Sequence, residues 1–475
     1  MAIGPMNIVY SCVIDAGCKL AHQALVWAVT LQELAGISPQ QLVVHCTTDC
    51  PESTMNEFRA AGLRVEIIPP HAGSPYCNKV QQLLSPAWDD ADVMVLCDAD
   101  LAWAGPLDAR YLTTSAISAK VVDGPNPPEQ TIKELLADAN LTEKAEWAST
   151  TVGGHTTLRG NCNGGLYVIP KQFLEPLKEA WPRWAEWMCQ KWQDGKCTYN
   201  VDQLSFAFSV LELGIPIQDL DIIYNFPMHL VEEERGTHLR ELTPVVLHYH
   251  HLTDASGVLK QTGIPAVDEV IGKINATIRA NRRKYFSNQI FWNYRYASNP
   301  ELGSGVGSRG VALKRKQDLL NEIIGRWDNP KVLDVGCGDL ETSRNLNVTD
   351  YTGLDISVAA LELAAQKRPD WKFTEGPLDQ MERESFDVVI CFDVLIHQNT
   401  REKYEKLLTD IADRSRDAVI IGAYNQPGWF TSEITFYYEP LTDTLRKLGF
   451  EQLEIVGGYR DTTVILAQNR SLRVE

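Results

Sequence analysis

The chain predicts an α/β protein of two domains, and three observations carry that prediction. At 475 residues it exceeds what one hydrophobic core normally supports. Short apolar runs alternate with segments of helical period, the pattern of a mostly parallel sheet covered on both faces. Two distant stretches, residues 93–100 and 331–339, each end a buried run in carboxylates or glycines. In open α/β sheets ligands bind at such carboxyl ends of strands.

Composition narrows the classes. With 44% apolar and 22% charged residues the chain is globular, and a net charge of −18 excludes a nucleic-acid binder, which needs a basic face. The eleven cysteines include no C-x-x-C pair, so spacing indicates neither a zinc site nor a disulfide framework; reduced cytosolic thiols are expected. No run approaches the ~18 apolar residues of a membrane span. Residues 1–6 lack the basic start of a signal peptide and read as an added leader ahead of a native Met6.

In order, the first half predicts a strand over 7–15, a helix over 20–34, a strand over 41–45, a helix over 51–61, a strand over 63–68 and a short helix over 78–84. The five apolar residues 93–97 form the next strand and deliver Asp98 and Asp100 to its end. In an extended chain side chains at i and i+2 point the same way, so both carboxylates face one point. Two carboxylates that close repel unless a cation sits between them, and a hard divalent metal is the usual solution. Segment 123–157 reads as a long loop with one helix over 132–139, a length often used for substrate lids. Asn163-Gly164-Gly165 then opens a strand where missing β-carbons let the backbone approach a ligand or another strand. Trp181, Trp184, Trp187 and Trp192 follow at helical spacing and read as core packing, with sugar stacking as the alternative. Asp202-Gln203 opens a helix over 204–213, and a strand near 244–251 ends in histidines.

This order of motifs resembles glycosyltransferases of the GT-A fold over roughly residues 7–255, most closely the retaining families related to glycogenin and bacterial galactosyltransferases. The resemblance implies that Asp98, Asp100 and His248 hold Mn²⁺ (or Mg²⁺) against a nucleotide-sugar diphosphate, with His250, two residues on and facing the same way in an extended chain, as a substitute ligand. It also implies donor contacts from Lys79, Asp98, Asn163, Gly164, Asp202 and Gln203, with Asp202 near the reacting sugar. The alternatives are a solvated lysine at 79 and a helix-end carboxylate at 202 favoured by the dipole. The Lys-Pro-Trp ending of some of these families is absent, which leaves the exact family and the anomeric outcome open.

A connecting helix over 264–286 leads into Phe291-Trp-Asn-Tyr-Arg-Tyr296 and a glycine-rich stretch, 303–310. No strand precedes those glycines, so they are a cover over a ligand or a linker, not a dinucleotide fingerprint. The turn that matters is Val332-Leu-Asp-Val-Gly-Cys-Gly338, a strand running into glycines with a helical segment expected after it. Asp355 ends a second strand, where a carboxylate suits two ribose hydroxyls. These motifs resemble class I S-adenosylmethionine-dependent methyltransferases over roughly 290–470. The resemblance implies that Asp334, Gly336 and Gly338 line the methionine part of the cofactor, that Asp355 takes the ribose, and that Leu378 or Asp379 lies near adenine. Gly376-Pro377 replaces the usual Gly-Asp at that last point. Asp393, leaving the fourth strand, is counted with the cofactor contacts. His397 is either a general base for a sugar hydroxyl or a structural residue behind that strand. Acceptor contacts are expected from Glu433, Tyr437 and Tyr438.

The domains expected are a GT-A domain over 1–258, a helical linker and cover over 259–300, and a Rossmann-like class I methyltransferase over 301–475. Together they imply a cytoplasmic enzyme of glycan biosynthesis that transfers a sugar and O-methylates a sugar hydroxyl. The acceptor would be a glycan, a glycolipid reached at a membrane surface, or a small molecule. The alternatives are glycosylation and methylation of a natural product, or a methyltransferase carrying a non-catalytic glycan-binding domain.

Overall fold

The computed structural model describes residues 6–195, 200–427 and 434–470. The chain divides into two compact units, Met1–Arg279 and Ala280–Glu475.

In the first unit the strands are β1 (Ile8–Ile14), β2 (Leu42–Thr47), β3 (Arg64–Ile68), β4 (Val93–Cys97), β5 (Leu101–Trp103), β6 (Ile117–Val121), β7 (Trp147–Ser149), β8 (Thr156–Leu158), β9 (Cys162–Pro170), β10 (Ile217–Asp219), β11 (Phe226–Pro227) and β12 (Val246–His248). Seven of them form one sheet in the order β10-β6-β9-β4-β1-β2-β3, in which β9 alone runs against its neighbours. Every residue of β4 is buried, as its unbroken apolar run requires of a central strand. The helices are α1 (Cys18–Glu33), α2 (Glu52–Ala60), α3 (Asn78–Gln81), α4 (Glu129–Asp138), α5 (Leu174–Gln193), α6 (Val201–Leu213) and α7 (Pro265–Ala280). Buried residues of α5 and α6 pack with β4, β6 and β9 in one core, and Trp181 and Trp184 lie inside it. Gly214, at φ 64°, closes α6 in the left-handed conformation that suits a helix end.

Segment 123–157 carries the one helix expected, as α4, but the rest of it is not simply a loop. Ile132, Leu135 and Leu136 of α4 are buried in the same core, and β7 and β8 pair as a hairpin. The i, i+3, i+4 apolar spacing supplied a docking face that the polar flanks concealed. The single connecting helix expected over 264–286 is broken as well: α7 stops at Ala280 and a separate turn, α8 (Arg282–Tyr285), follows.

The second unit adds α9 (Asn288–Ser298), α10 (Gly310–Ile324), β13 (Val332–Val335), β14 (Tyr351–Asp355), α11 (Val358–Lys367), β15 (Lys372–Glu375), β16 (Phe386–Phe392), α12 (Arg401–Arg414), β17 (Ser415–Ala423), α13 (Leu441–Lys447), β18 (Phe450–Tyr459) and β19 (Thr462–Arg470). Its sheet runs β15-β14-β13-β16-β17-β19-β18, parallel except for β19. Alternation along the strands fills two cores. Val332, Val388, Ile390, Ile420 and Leu466 meet α10 and α11 on one face, and Leu333, Val389, Cys391, Ile421 and Ile465 meet α12 and α13 on the other. The switch in strand order beside β13 opens the crevice in which doubly wound sheets bind ligands. Among the described residues no helix is long and apolar enough to cross a membrane.

Candidate functional sites

Register builds the first site. Cys97 of β4 pairs with Leu166 of β9, so the Asp98 amide donates to the Gly165 carbonyl at 2.9 Å. His248 of β12 pairs with Leu101 of β5, which seats it beside Asp100. His248 Nε2 lies 3.2 Å from Asp100 Oδ1 and 3.9 Å from Asp98 Oδ2. His250 Nδ1 reaches Asp100 Oδ2 at 3.4 Å. It arrives by a left-handed turn, φ 52°, and not by the extended i+2 geometry expected. Asp100, His248 and His250 therefore form the tight cluster that could hold a metal ion. Asp98 pairs with Lys79 Nζ at 2.5 Å. Lys79 is no solvated lysine: it is buried, and it also donates to the Gly164 carbonyl.

The donor set fits a divalent cation. His248 Nδ1 meets Asn225 Oδ1 at 3.0 Å, and Asn225 Nδ2 donates to Asn163 Oδ1 at 3.1 Å. That chain puts the Nδ1 proton on His248 and turns Nε2 toward the carboxylates, as a metal-binding histidine requires. Asn163 Nδ2 also donates to Asp123 Oδ2 at 2.9 Å, and Asp123 pairs with buried Lys120 at 2.5 Å. Asn163 thus braces this network, and Asn225, Asp123 and Lys120 carried no local signal in the sequence.

A Cβ on Gly164 would lie 2.9 Å from Asp202 Oδ2 and 3.6 Å from Gln203 Cγ, so glycine is needed where β9 meets α6. Burial pushes Asp202 up to about 6 against the pull of Lys79, with the Asp98 charge adding to the rise. For Asp100, burial acts upward but His248 and His250 prevail and hold the carboxyl well below its usual range.

The second site is a cavity of about 360 Å³ at the carboxyl ends of β13, β14 and β16. Asp334, Gly336, Asp355, Leu378, Asp379, Asp393 and His397 all line it. Gly336 has φ 73°, and a Cβ there would land on Val394 Cγ2. Gly338 has φ 56°, and its Cβ would sit 2.5 Å from Tyr296 Oη and 2.6 Å from Ser304 Oγ. The helix expected after this turn is absent: residues 338–349 run through turns, with Leu340 at φ 64°. Side chains explain the difference. Asp339 accepts from Ser304 Oγ at 2.6 Å and from Arg309 at 2.7 Å, and Asp334 accepts from Ser343 Oγ and, at 2.6 Å, from Tyr351 Oη. These bonds spend on the 303–310 stretch and on β14 the groups that would start a helix. That stretch is a cover and not a plain linker, since its Ser304 and Ser308 line the cavity together with Trp292 and Tyr296 of α9.

Asp355 accepts from the Gly338 amide through Oδ2 and from the Ser357 amide through Oδ1, both at 2.9 Å. Burial pushes it up to about 6, and Asp334 likewise. Asp379 forms a surface ion pair with Lys406 at 2.9 Å. Asp393, in the left-handed region at φ 62°, is held by buried Lys316 and by Tyr459 Oη at 2.7 Å, partners that sequence reading missed. His397 Nδ1 meets the Ile434 carbonyl at 2.7 Å. A carbonyl only accepts, so Nδ1 carries the proton and Nε2 keeps its lone pair. Burial holds this imidazole below its ordinary pKa. Tyr438 Oη donates to the Gln398 carbonyl at 2.7 Å, and Glu433 lies outside the described residues.

Residues 332–417 match a family model described as a methyltransferase domain, and the match falls wholly within the second unit. No curated protein matches the chain. Among solved structures, magnesium protoporphyrin IX methyltransferase from Synechocystis PCC 6803, with bound SAH, is 20% identical, covers 41% of this chain and 99% of its own, and has a TM-score of 0.31. The 1,6-didemethyltoxoflavin-N1-methyltransferase of Burkholderia thailandensis is 20% identical, covers 35% and 81%, and scores 0.29. A SAM-dependent methyltransferase from Archaeoglobus fulgidus is 15% identical, covers 37% and 100%, and scores 0.30. The C-terminal unit has an α/β fold, and its residues 332–417 are matched by a methyltransferase domain.

Proposed function

We propose that the second unit is an S-adenosylmethionine-dependent O-methyltransferase and that the first is a metal-dependent glycosyltransferase. On this reading a sugar is added to a glycan, a glycolipid or a small molecule, and a sugar hydroxyl is methylated. The observation that carries it is the pairing of two strand-end sites. Each unit brings carboxylates to the carboxyl edge of its own sheet, each beside a glycine whose missing Cβ lets a neighbouring side chain close in, Asp202 on Gly164 and Val394 on Gly336.

In the second unit S-adenosylmethionine supplies an electrophilic methyl group. Asp355 orients the ribose through its hydroxyls. The glycine turn brings the backbone against the ligand, and the cover residues Trp292 and Tyr296 exclude water. His397, neutral with its lone pair on Nε2, takes the proton of the acceptor hydroxyl, and the Ile434 carbonyl stabilises the imidazolium that forms.

In the first unit Asp100, His248 and His250, with Asp98, would hold Mn²⁺ or Mg²⁺, which stabilises charge on a departing diphosphate. Lys79 adds a buried cation on the same side, and Asp202 stands behind Gly164 where a donor sugar would lie.

Asp100→Ala tests the reading. It should abolish Mn²⁺-dependent turnover of nucleotide sugars and leave methyl transfer to a pre-glycosylated acceptor intact. A folded variant that loses both activities, or a wild-type protein that turns over no nucleotide sugar, sinks the two-activity reading.

A further inference from the structure

A second set of metal-type ligands lies in the first unit, away from Asp100. His71, Cys77 and Cys189 bring a ring nitrogen and two sulfurs within 4.8 Å of one another. Cys77 closes the turn that leads into α3, and Cys189 lies in the last turns of α5. Only the fold joins them.

The arrangement has the geometry of a thiolate site. Two ligands at ~2.3 Å from a tetrahedral zinc ion stand about 3.8 Å apart. Cys77 Sγ and Cys189 Sγ are 3.9 Å apart. Both thiols are buried, Cys77 fully and Cys189 at 3% exposure. The Gly73 amide donates to His71 Nδ1 at 3.1 Å, so Nδ1 is the unprotonated ring nitrogen, and a metal would have to displace that amide from its lone pair. Gly73 also packs on the sulfur: a Cβ there would come within 3.0 Å of Cys189 Sγ. The His71 amide donates to Asn78 Oδ1 at 2.8 Å, which fixes the loop around the cluster. Burial keeps the imidazole neutral, and the Glu186 carboxylate acts on it from one turn before Cys189.

We propose that His71 Nδ1, Cys77 Sγ and Cys189 Sγ form a zinc site that clamps the loop before α3 onto α5. Two thiolates and an imidazole select a soft or borderline divalent ion over Mn²⁺ or Mg²⁺. Binding releases the two thiol protons to solvent, and water fills the fourth position. The site is separate from the Asp100 cluster, and it does not depend on sugar transfer being the activity of this unit. It sits two residues from Lys79, so it would hold that buried lysine in place.

The test uses the full chain. Metal analysis of protein purified without added metal should find about one zinc per chain, as a site of two thiolates and an imidazole implies. Cobalt-substituted protein should show a thiolate-to-cobalt charge-transfer band. Cobalt at the Asp100 cluster gives no such band, so Asp100→Ala should retain it. Cys189→Ser should lose most of the band, and Cys77→Ser with Cys189→Ser all of it; thermal unfolding without metal checks that the variants fold. Three outcomes overturn the proposal: zinc-free protein whose cobalt form lacks the band, a band that survives the double variant, or an intact mass two units low that reports a Cys77–Cys189 disulfide.

Discussion

If Asp355 receives the ribose hydroxyls, cofactor affinity must follow its ionisation. The carboxyl is buried, takes two backbone amides at 2.9 Å each, and is pushed up to about 6. Two lone-pair positions remain for hydroxyl donors, and they bind strongly only when the group is charged. With a pKa near 6, roughly nine-tenths of the carboxylate is ionised at pH 7 and one-tenth at pH 5, so affinity should fall about tenfold between them. Asp355→Asn keeps the size but turns an NH₂ group toward one of the two amide donors. It should weaken binding by roughly 2–4 kcal/mol and flatten the pH dependence. The assay is calorimetry with S-adenosylhomocysteine from pH 5 to 8. An affinity that does not change with pH in the parent protein would refute the assignment. So would a tenfold step persisting in Asp355→Asn, which would then belong to Asp334.

Other outcomes follow from the same geometry. Gly336→Ala should destabilise the second unit by about 1–3 kcal/mol, since φ is 73° and the new Cβ meets Val394; adding Val394→Ala should restore part of that in thermal unfolding, and no restoration would place the cost elsewhere. His397→Ala should slow methyl transfer by ~10²–10⁴-fold with cofactor binding nearly unchanged, and a near-normal rate would remove it as the base. Asp334 has a raised pKa of about 6 against an ordinary 3.8, so its contribution to stability is present below pH 3.8 and lost as pH rises through 6. Asp334→Asn should therefore gain on the parent by about 2.4 kcal/mol between pH 4 and pH 7 in denaturant unfolding, and an unchanged difference would contradict the shift.

Where period and local chemistry coincide, the sequence spoke clearly. The apolar run of β4 can only be a central strand, and the glycines at 336 and 338 sit where the backbone turns left-handed. What it concealed depends on partners far along the chain. The helix expected after Gly338 is replaced by bonds from Asp339 to Ser304 and Arg309, 35 and 30 residues away. Lys79 looks solvated until Asp98 and Gly164 close over it, and His71, Cys77 and Cys189 form no spaced motif. His250 shows the limit of the i+2 rule: the strand ends at His248, so its approach to Asp100 depends on one left-handed residue that no periodicity announces.

The Asp100, His248 and His250 cluster of the first unit yields a last prediction from its own proton. Without a cation, His248 Nε2 faces Asp100 at 3.2 Å, and although burial acts downward the Asp100 charge raises the imidazole above its ordinary pKa. Nδ1 is committed to Asn225, so the proton that charges the ring sits on Nε2, the nitrogen a metal needs. Mn²⁺ must displace it. Below that raised pKa binding should then release up to one proton per ion, and apparent affinity should rise by up to about tenfold per pH unit until His248 is neutral. The release should shrink as pH rises through the raised pKa. Calorimetry in two buffers of different ionisation enthalpy reads the protons directly, and Asn225→Asp serves as the control. A carboxylate at 225 would accept the Nδ1 proton more strongly and hold the ring charged to higher pH, so release should persist further into the alkaline range. Mn²⁺ binding with no proton release from pH 6 to 8 in the parent protein would mean that the ion does not bind His248 Nε2.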